Sequence, residues 1–265
     1  MAIPPRDEPH DDLFRADAIS DALSALAQCH NCWRKTSERL INCIDVQKLR
    51  RFHIEEGHRG HRRCQTPYCL RCRDIAVEQN FFRLTRAILN ISSSEKLASL
   101  LHVRFTSPWF ALHDIGAALE CRRAAWRRLL NRQSFLWVEC GVVRSWFLDL
   151  SIEEGLARCV TKIMVAAKHS RALHSLDEWR SLWQQVLPGE NEDEPLFRAF
   201  SLDDPLSQAG MFAAAYDLAK THIDPSELLE RDALHGYRCD PGKLRWIAET
   251  LSDRKMIYSA GVFAE

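Results

Sequence analysis

Cys43, Cys64, Cys69 and Cys72 carry the clearest chemical signal in the chain: one lone cysteine, then a Cys-x4-Cys-x2-Cys run. Four thiolates at this spacing can close a tetrahedral zinc shell, and the Cys-x2-Cys end is the usual nucleating half of such a site. Between the lone cysteine and the run lies RRFHIEEGHRGHRR, which adds His53, His58 and His61 as spare imidazoles. The same segment offers Arg50, Arg51, Arg59, Arg62 and Arg63, held together by a metal-pinned loop and suited to bidentate phosphate contacts. Buried free thiols are the alternative, since cysteine also serves as a small hydrophobe. Four of the ten cysteines fall within thirty residues, and that clustering favours a ligand set. Cys29 and Cys32 form a second Cys-x2-Cys pair whose partners the sequence does not identify.

The formal net charge is zero, but the charges are unevenly distributed. Residues 29–90 carry 13 basic and 6 acidic side chains, whereas residues 151–265 carry 13 and 19. A basic, arginine-dominated first half fits contact with nucleic acid, because local sign matters more than the total. Arg122, Arg123, Arg127, Arg128 and Arg132 crowd one predicted helix and could follow a phosphate backbone. A solvated helix face is the competing reading of that group. Hydrophobic residues make up 46% and charged residues 27%, an ordinary globular composition, and no apolar run is long enough for a membrane span. MAIPPRDEPHDDLFRAD lacks the basic start and apolar stretch of a secretory signal, so a reducing cytoplasm is expected. There is no Gly-rich phosphate loop and no Gly-x-Ser-x-Gly, which leaves ATP use and acyl transfer without support.

The elements that must position these residues read as follows. Residues 1–16 form a disordered tail, 17–90 a helix (Ala18–Gln28) plus the cysteine-rich zinc module, and 91–265 an α+β domain. Asp74 opens a helix to Asn90 with Val77, Phe81, Leu84 and Ile88 on one stripe. Strands are expected at Leu100–Thr106, Ser134–Glu139, Val142–Ser151 and Arg158–Ala167, with a helix over 113–132. Ser175 and Glu178 form a capping box before a helix whose apolar face is Trp179, Leu182, Trp183 and Val186. GENEDEP reads as an acidic loop and the remainder as helical, with Asp224-Pro225 and Asp240-Pro241 as helix starts. The fold class is therefore α+β: an antiparallel sheet flanked by helices, behind an N-terminal zinc module.

Taken in order, several segments resemble the initiator (Rep) proteins of rolling-circle plasmids, the branch of the HUH endonuclease superfamily with an N-terminal cysteine cluster. These segments are CQTPYCLRC (64–72), LLHVRFTS (100–107), GVVRSWFLDL (141–150), LDEWRSLWQQVL (176–187), AAYDLAKTHIDPSEL (214–228) and the C-terminal DRKMIYSAGVF. The resemblance implies an HUH/RRM-like core and plasmid origin DNA in single-stranded or hairpin form as partner, while the sequence leaves open whether the chain forms a homodimer. It also implies nicking and joining of one strand. A tyrosine attacks the phosphodiester and keeps the 5′ phosphate, and two histidines flanking one residue of a central strand hold Mg or Mn.

On that resemblance Tyr216 is the nucleophile, with Lys220 on the same helix face to neutralise the phosphate. A register one residue shorter puts Asp217 in the tyrosine's place, and a half-buried structural tyrosine is the plainer reading. The strand that should carry the histidines is RCVTKIMVAA, with Cys159 and Thr161 in their places and no His-x-His anywhere in the chain. Phe147 stands where an acidic residue is common, and Asp149 lies two residues on. Mg or Mn is expected only if that site is active. Three functions remain: an origin-nicking initiator, an inactive relative that binds DNA or regulates replication, and a zinc-stabilised interaction protein.

Overall fold

In a computed structural model, residues 11–29, 33–52, 64, 66, 68–92, 99–132, 141–167, 175–187, 193–202, 204, 206–232, 236–251, 256–261 and 263 are described. They form two compact units, each made of segments distant in sequence. One comprises residues 1–75, 150–155 and 223–252, the other residues 76–149, 156–222 and 253–265. The two units are not separated at residue 90, because the C-terminal third supplies elements to both.

In the first unit, helix α1 (Asp11–Cys29) packs on α2 (Arg34–Phe52), on α7 (Pro241–Leu251) and on a hairpin of β7 (Leu229–Asp232) and β8 (Gly236–Cys239). Ile19, Leu23 and Leu40 are buried in this unit, as are Leu244 and Ile247. Helix α1 starts at Asp11, before the predicted Ala18, so the expected tail of residues 1–16 is corrected at its C-terminal end. Arg15 helps hold that first turn, donating to the Tyr237 hydroxyl at 3.1 Å while lying over its ring. Helix α2 was not expected. Its sequence, RKTSERLINCIDVQKLRRF, is rich in charge, and its apolar residues form only a weak stripe.

The second unit is built around β1 (Ser99–Thr106), α4 (Ile115–Leu130), β3 (Gly141–Ser151), β4 (Leu156–Ala167), α5 (Leu176–Val186) and β5 (Asp193–Ser201). The strands lie in the order β5-β1-β4-β3, and β1 is antiparallel to both of its neighbours. This is a βαββαβ chain whose two βαβ units are each split by a strand of the other. Three shorter strands extend it: β2 (Phe110–Ala111) on β4, and β6 (His222–Ile223) and β9 (Ile257–Gly261) on β3. The predicted strand Ser134–Glu139 lies outside the described residues.

Helices cover both faces of the sheet, so β1 is buried along nearly its whole length rather than at alternate residues. On one face α3 (Leu70–Ser92) and α6 (Ser207–Ala219) pack Leu84, Ile88, Met211 and Leu218 against Leu100, Val143 and Met164. On the other, Phe105 stacks on Trp183 of α5 with centroids 4.7 Å apart, and Arg122 of α4 donates to Thr161 at 3.0 Å. The capping box forms as expected, with Glu178 N–H donating to Ser175 Oγ at 3.2 Å and Ser175 N–H to Glu178 Oε2 at 3.0 Å.

The expectation that everything after GENEDEP is helical is corrected by β5 through β9. Strand β5 opens Asp-Glu-Pro, which reads as a loop, but an edge strand tolerates proline because one side of its backbone needs no ladder partner. Asp224 caps only a 3-10 turn, Pro225–Leu228, whereas Asp240 accepts from Gly242 and Lys243 N–H and starts α7. Among the described residues no helix is long and apolar enough to cross a membrane.

Candidate functional site

Cys43, Cys64, Cys69 and Cys72 converge. Their sulfurs all lie within 4.8 Å of one another and all four residues are buried. Cys43 comes from the middle of α2, Cys64 and Cys69 from the segment before α3, and Cys72 from the first turn of α3. The Cys69 carbonyl accepts from Arg73 N–H at 2.9 Å, and Cys69 N–H reaches the Thr66 carbonyl at 3.3 Å, so the Cys-x2-Cys turn leads directly into the helix. The Sγ–Sγ separations are 3.8 Å for Cys43–Cys69, 3.7 Å for Cys43–Cys72 and 3.3 Å for Cys64–Cys72. Metal–sulfur bonds of ~2.3 Å in a tetrahedron place sulfurs ~3.8 Å apart, so the four can hold a metal ion with little rearrangement.

Hydrogen bonds from Cys64, Cys69 and Cys72 hold the Cys43 thiol well below its ordinary range, and acting as donors to it pushes Cys64 and Cys69 up. Crowded thiols of this kind exchange protons for a cation readily, because each ligand binds as thiolate. Thr66 Oγ1 lies 3.5 Å from Cys64 Sγ, a polar neighbour behind the sulfur cage. Arg59, Arg62, Arg63 and the side chains of Arg50 and Arg51 lie outside the described residues, as do Cys32 and the Cys29 side chain.

A second constellation sits in the other unit, on the α3/α6 face of the sheet. Side chains alternate along a strand, so Lys162 shares its face with Met164, and Cys159 and Thr161 belong to the opposite one. Cys159 and Thr161 are fully buried, and Thr161 is held by Arg122 of α4. The metal positions assigned to them by resemblance therefore face away from α6, the helix that carries Tyr216.

The face turned towards α6 carries Lys162 instead. Its ammonium donates to Asp217 Oδ1 at 2.9 Å and to the Asp217 carbonyl at 2.7 Å, and it lies 5.0 Å from the Phe147 ring centroid. His102 Nε2 approaches Asp217 Oδ2 at 3.5 Å. Burial alone would raise the Asp217 carboxyl, but His102 and the Lys162 charge outweigh it and hold it well below the usual carboxylate range. Burial pulls Lys162 down, and the Asp217 charge opposes that shift. Asp149, the candidate acidic substitute, is already paired with Arg158 at 2.7 Å.

Tyr216 is 46% exposed, with Lys220 Nζ 4.9 Å from its ring centroid and its ring edge-on to Phe81 at 5.7 Å. Of the α4 arginines, Arg122 is buried, Arg123 pairs with Glu120 at 3.8 Å and Arg128 donates to the Val186 carbonyl at 2.9 Å. Arg127 is exposed. The row expected as one phosphate-binding face is therefore divided between packing, pairing and solvent. Sequence reasoning missed the Lys162–Asp217–His102 group. A lysine in the largely apolar VTKIMVAA was the available sign, since a charge there needs a partner.

No family model matches the chain, no curated protein matches it and no solved structure does. The likeness to rolling-circle initiators consequently rests on the quoted segments.

Proposed function

We propose that the chain is a relative of plasmid rolling-circle initiators that binds origin DNA through a zinc-held, arginine-rich module and has lost strand nicking. The convergence of Cys43, Cys64, Cys69 and Cys72 on either side of the basic segment carries this reading. Zinc is the ion favoured by four thiolates in a closed tetrahedral shell. The ion fixes both ends of a chain segment rich in arginine and histidine, and guanidinium groups there meet phosphate bidentately. The split βαβ sheet is compatible with an HUH/RRM-like core in the second unit.

Loss of nicking is supported by the face of β4 that meets α6. A hard cation over a phosphate needs imidazole or carboxylate ligands, and Val160 and Lys162 supply neither. Asp217, the residue in the tyrosine's place on the shorter register, is an anion bonded to Lys162. It cannot serve as the attacking phenol. Tyr216 with Lys220 is what remains of the nicking reading, and among the described residues only the four cysteines cluster as candidate metal ligands.

The test uses the full-length protein purified without chelator, with duplex and single-stranded origin DNA at low salt. Zinc-dependent binding that weakens steeply with salt, with no covalent adduct in Mg²⁺ or Mn²⁺, is the expected result. A Tyr216-dependent covalent adduct would restore the nicking reading. Absence of any DNA binding would leave a zinc-stabilised interaction protein.

A further inference from the structure

Three aromatic rings from two helices of the second unit form a continuous row. Phe82 and Phe81 of α3 have centroids 6.0 Å apart, tilted by 47°, and Phe81 meets Tyr216 of α6 edge-on at 5.7 Å. The Lys220 ammonium closes the row, 4.9 Å from the Tyr216 centroid. The middle ring leans on the core, but the two outer ones are open: Phe82 is 67% exposed and Tyr216 46%. Joined through Phe81, the two open rings make one exposed aromatic patch, and a contiguous patch of this kind marks an interaction site.

The charges around the row define what would cover it. Arg83 and Arg86 lie on α3 within one turn of Phe82 on its C-terminal side, with Arg86 exposed, and Glu78, also exposed, lies one turn before it, so the basic side chains outnumber the acidic one beside the ring. Helix α6 contributes a single charge, Asp217, which is already held by Lys162. Arginine and lysine beside open aromatic faces suit a ligand with flat rings and negative charge. Unpaired nucleotides fit, because every base has a face to stack and every linkage carries a phosphate.

We propose that Phe82 and Tyr216, with Lys220 and Arg86, form a stacking site for the bases of single-stranded nucleic acid. Tyr216 then acts through its ring rather than as a nucleophile. This site rests on the DNA-binding reading above, but it is separate from the zinc module and carries single-strand preference.

Full-length protein and its Phe82→Ala, Tyr216→Ala and Tyr216→Phe variants are titrated with fluorescent oligo-dT, oligo-rU and a DNA duplex. Thermal melts confirm that each variant is folded, which the exposure of both side chains favours. Each alanine variant is expected to bind both single strands about 5- to 100-fold more weakly. Tyr216→Phe should bind them as wild type does, and duplex affinity should be unchanged in all three. Wild-type single-strand binding that survives both alanine substitutions would overturn the stacking site and leave the DNA-binding reading intact. Equal loss with Tyr216→Phe and Tyr216→Ala would overturn the ring's role in favour of the hydroxyl. Self-association of wild type that Phe82→Ala abolishes, without single-strand binding, would show that the rings meet protein instead. If wild type binds no nucleic acid, both readings fail.

Discussion

Asp217→Asn separates the contribution of the buried ion pair from that of the surrounding packing. Lys162 is 3% exposed and Asp217 29%, so the charge stranded by the substitution is the ammonium, deep against the sheet. Removing one member of a buried pair costs about 3–5 kcal/mol, chiefly because the other charge is left uncompensated. The Asp217 and Lys220 carbonyls, 2.7 and 3.5 Å from Lys162 Nζ, still solvate the ammonium, which puts the expected cost near the lower end, about 3 kcal/mol. For a chain of this size that lowers Tm by roughly 6–12 °C. Lys162→Met with Asp217→Asn removes both charges and should recover most of the loss, since an apolar replacement of a buried pair is often close to neutral. Calorimetric melting of wild type, both single variants and the double variant at neutral pH completes the cycle. A drop below about 2 °C in Asp217→Asn, or a double variant no more stable than that single one, would refute the reasoning, because the pair would then be solvated rather than buried.

Two further perturbations probe the second unit. Burial pulls the His222 imidazole down to about 4, so the unfolded chain binds its proton first. Stability from this group is full above pH ~6.5 and falls as pH drops from there towards 4. His222 also has φ 68°, a backbone region that asparagine tolerates, so His222→Asn should flatten the Tm–pH profile between those limits without a large loss at pH 8. A profile as steep as that of wild type would contradict this. Gly210→Ala would place a Cβ 2.6 Å from Phe200 Cε1 in the packed α6/β5 contact. Overpacking of about 1–3 kcal/mol should outweigh the ~1 kcal/mol gained in helix propensity, and an unchanged or higher Tm would show that the ring moves aside.

The parts of this molecule legible in its sequence are those set by local spacing. Cys69 and Cys72 lie three positions apart at a helix start, and Ser175 and Glu178 cap a helix whose tryptophans repeat at its period. Each pattern needs few long-range facts. The register of β4 was less accessible, because helices on both faces make Ile163–Ala167 uniformly apolar and place polar side chains at the adjacent Thr161 and Lys162, which breaks the alternation that tells one face from the other. Cys159 and Thr161 lie on the face turned from α6, and Lys162 went unremarked although a charged residue between Thr161 and Ile163 needed a counter-charge. That partner, Asp217, lies fifty-five positions further along the chain. Helix α2 was hidden for the opposite reason: a polar helix held by α1 and the sulfur cluster has little apolar stripe to read. Strand β5 opens with acid and proline, so only its pairing with β1 identifies it.

X-ray absorption at the zinc edge, on protein purified without chelator, tests the four-sulfur centre most directly. The expected spectrum has four sulfur neighbours at ~2.3 Å with about one zinc per chain. Cys72→Ser should lose the metal and unfold the module around it. A folded, metal-free protein, or a zinc shell of nitrogen and oxygen, would contradict the account.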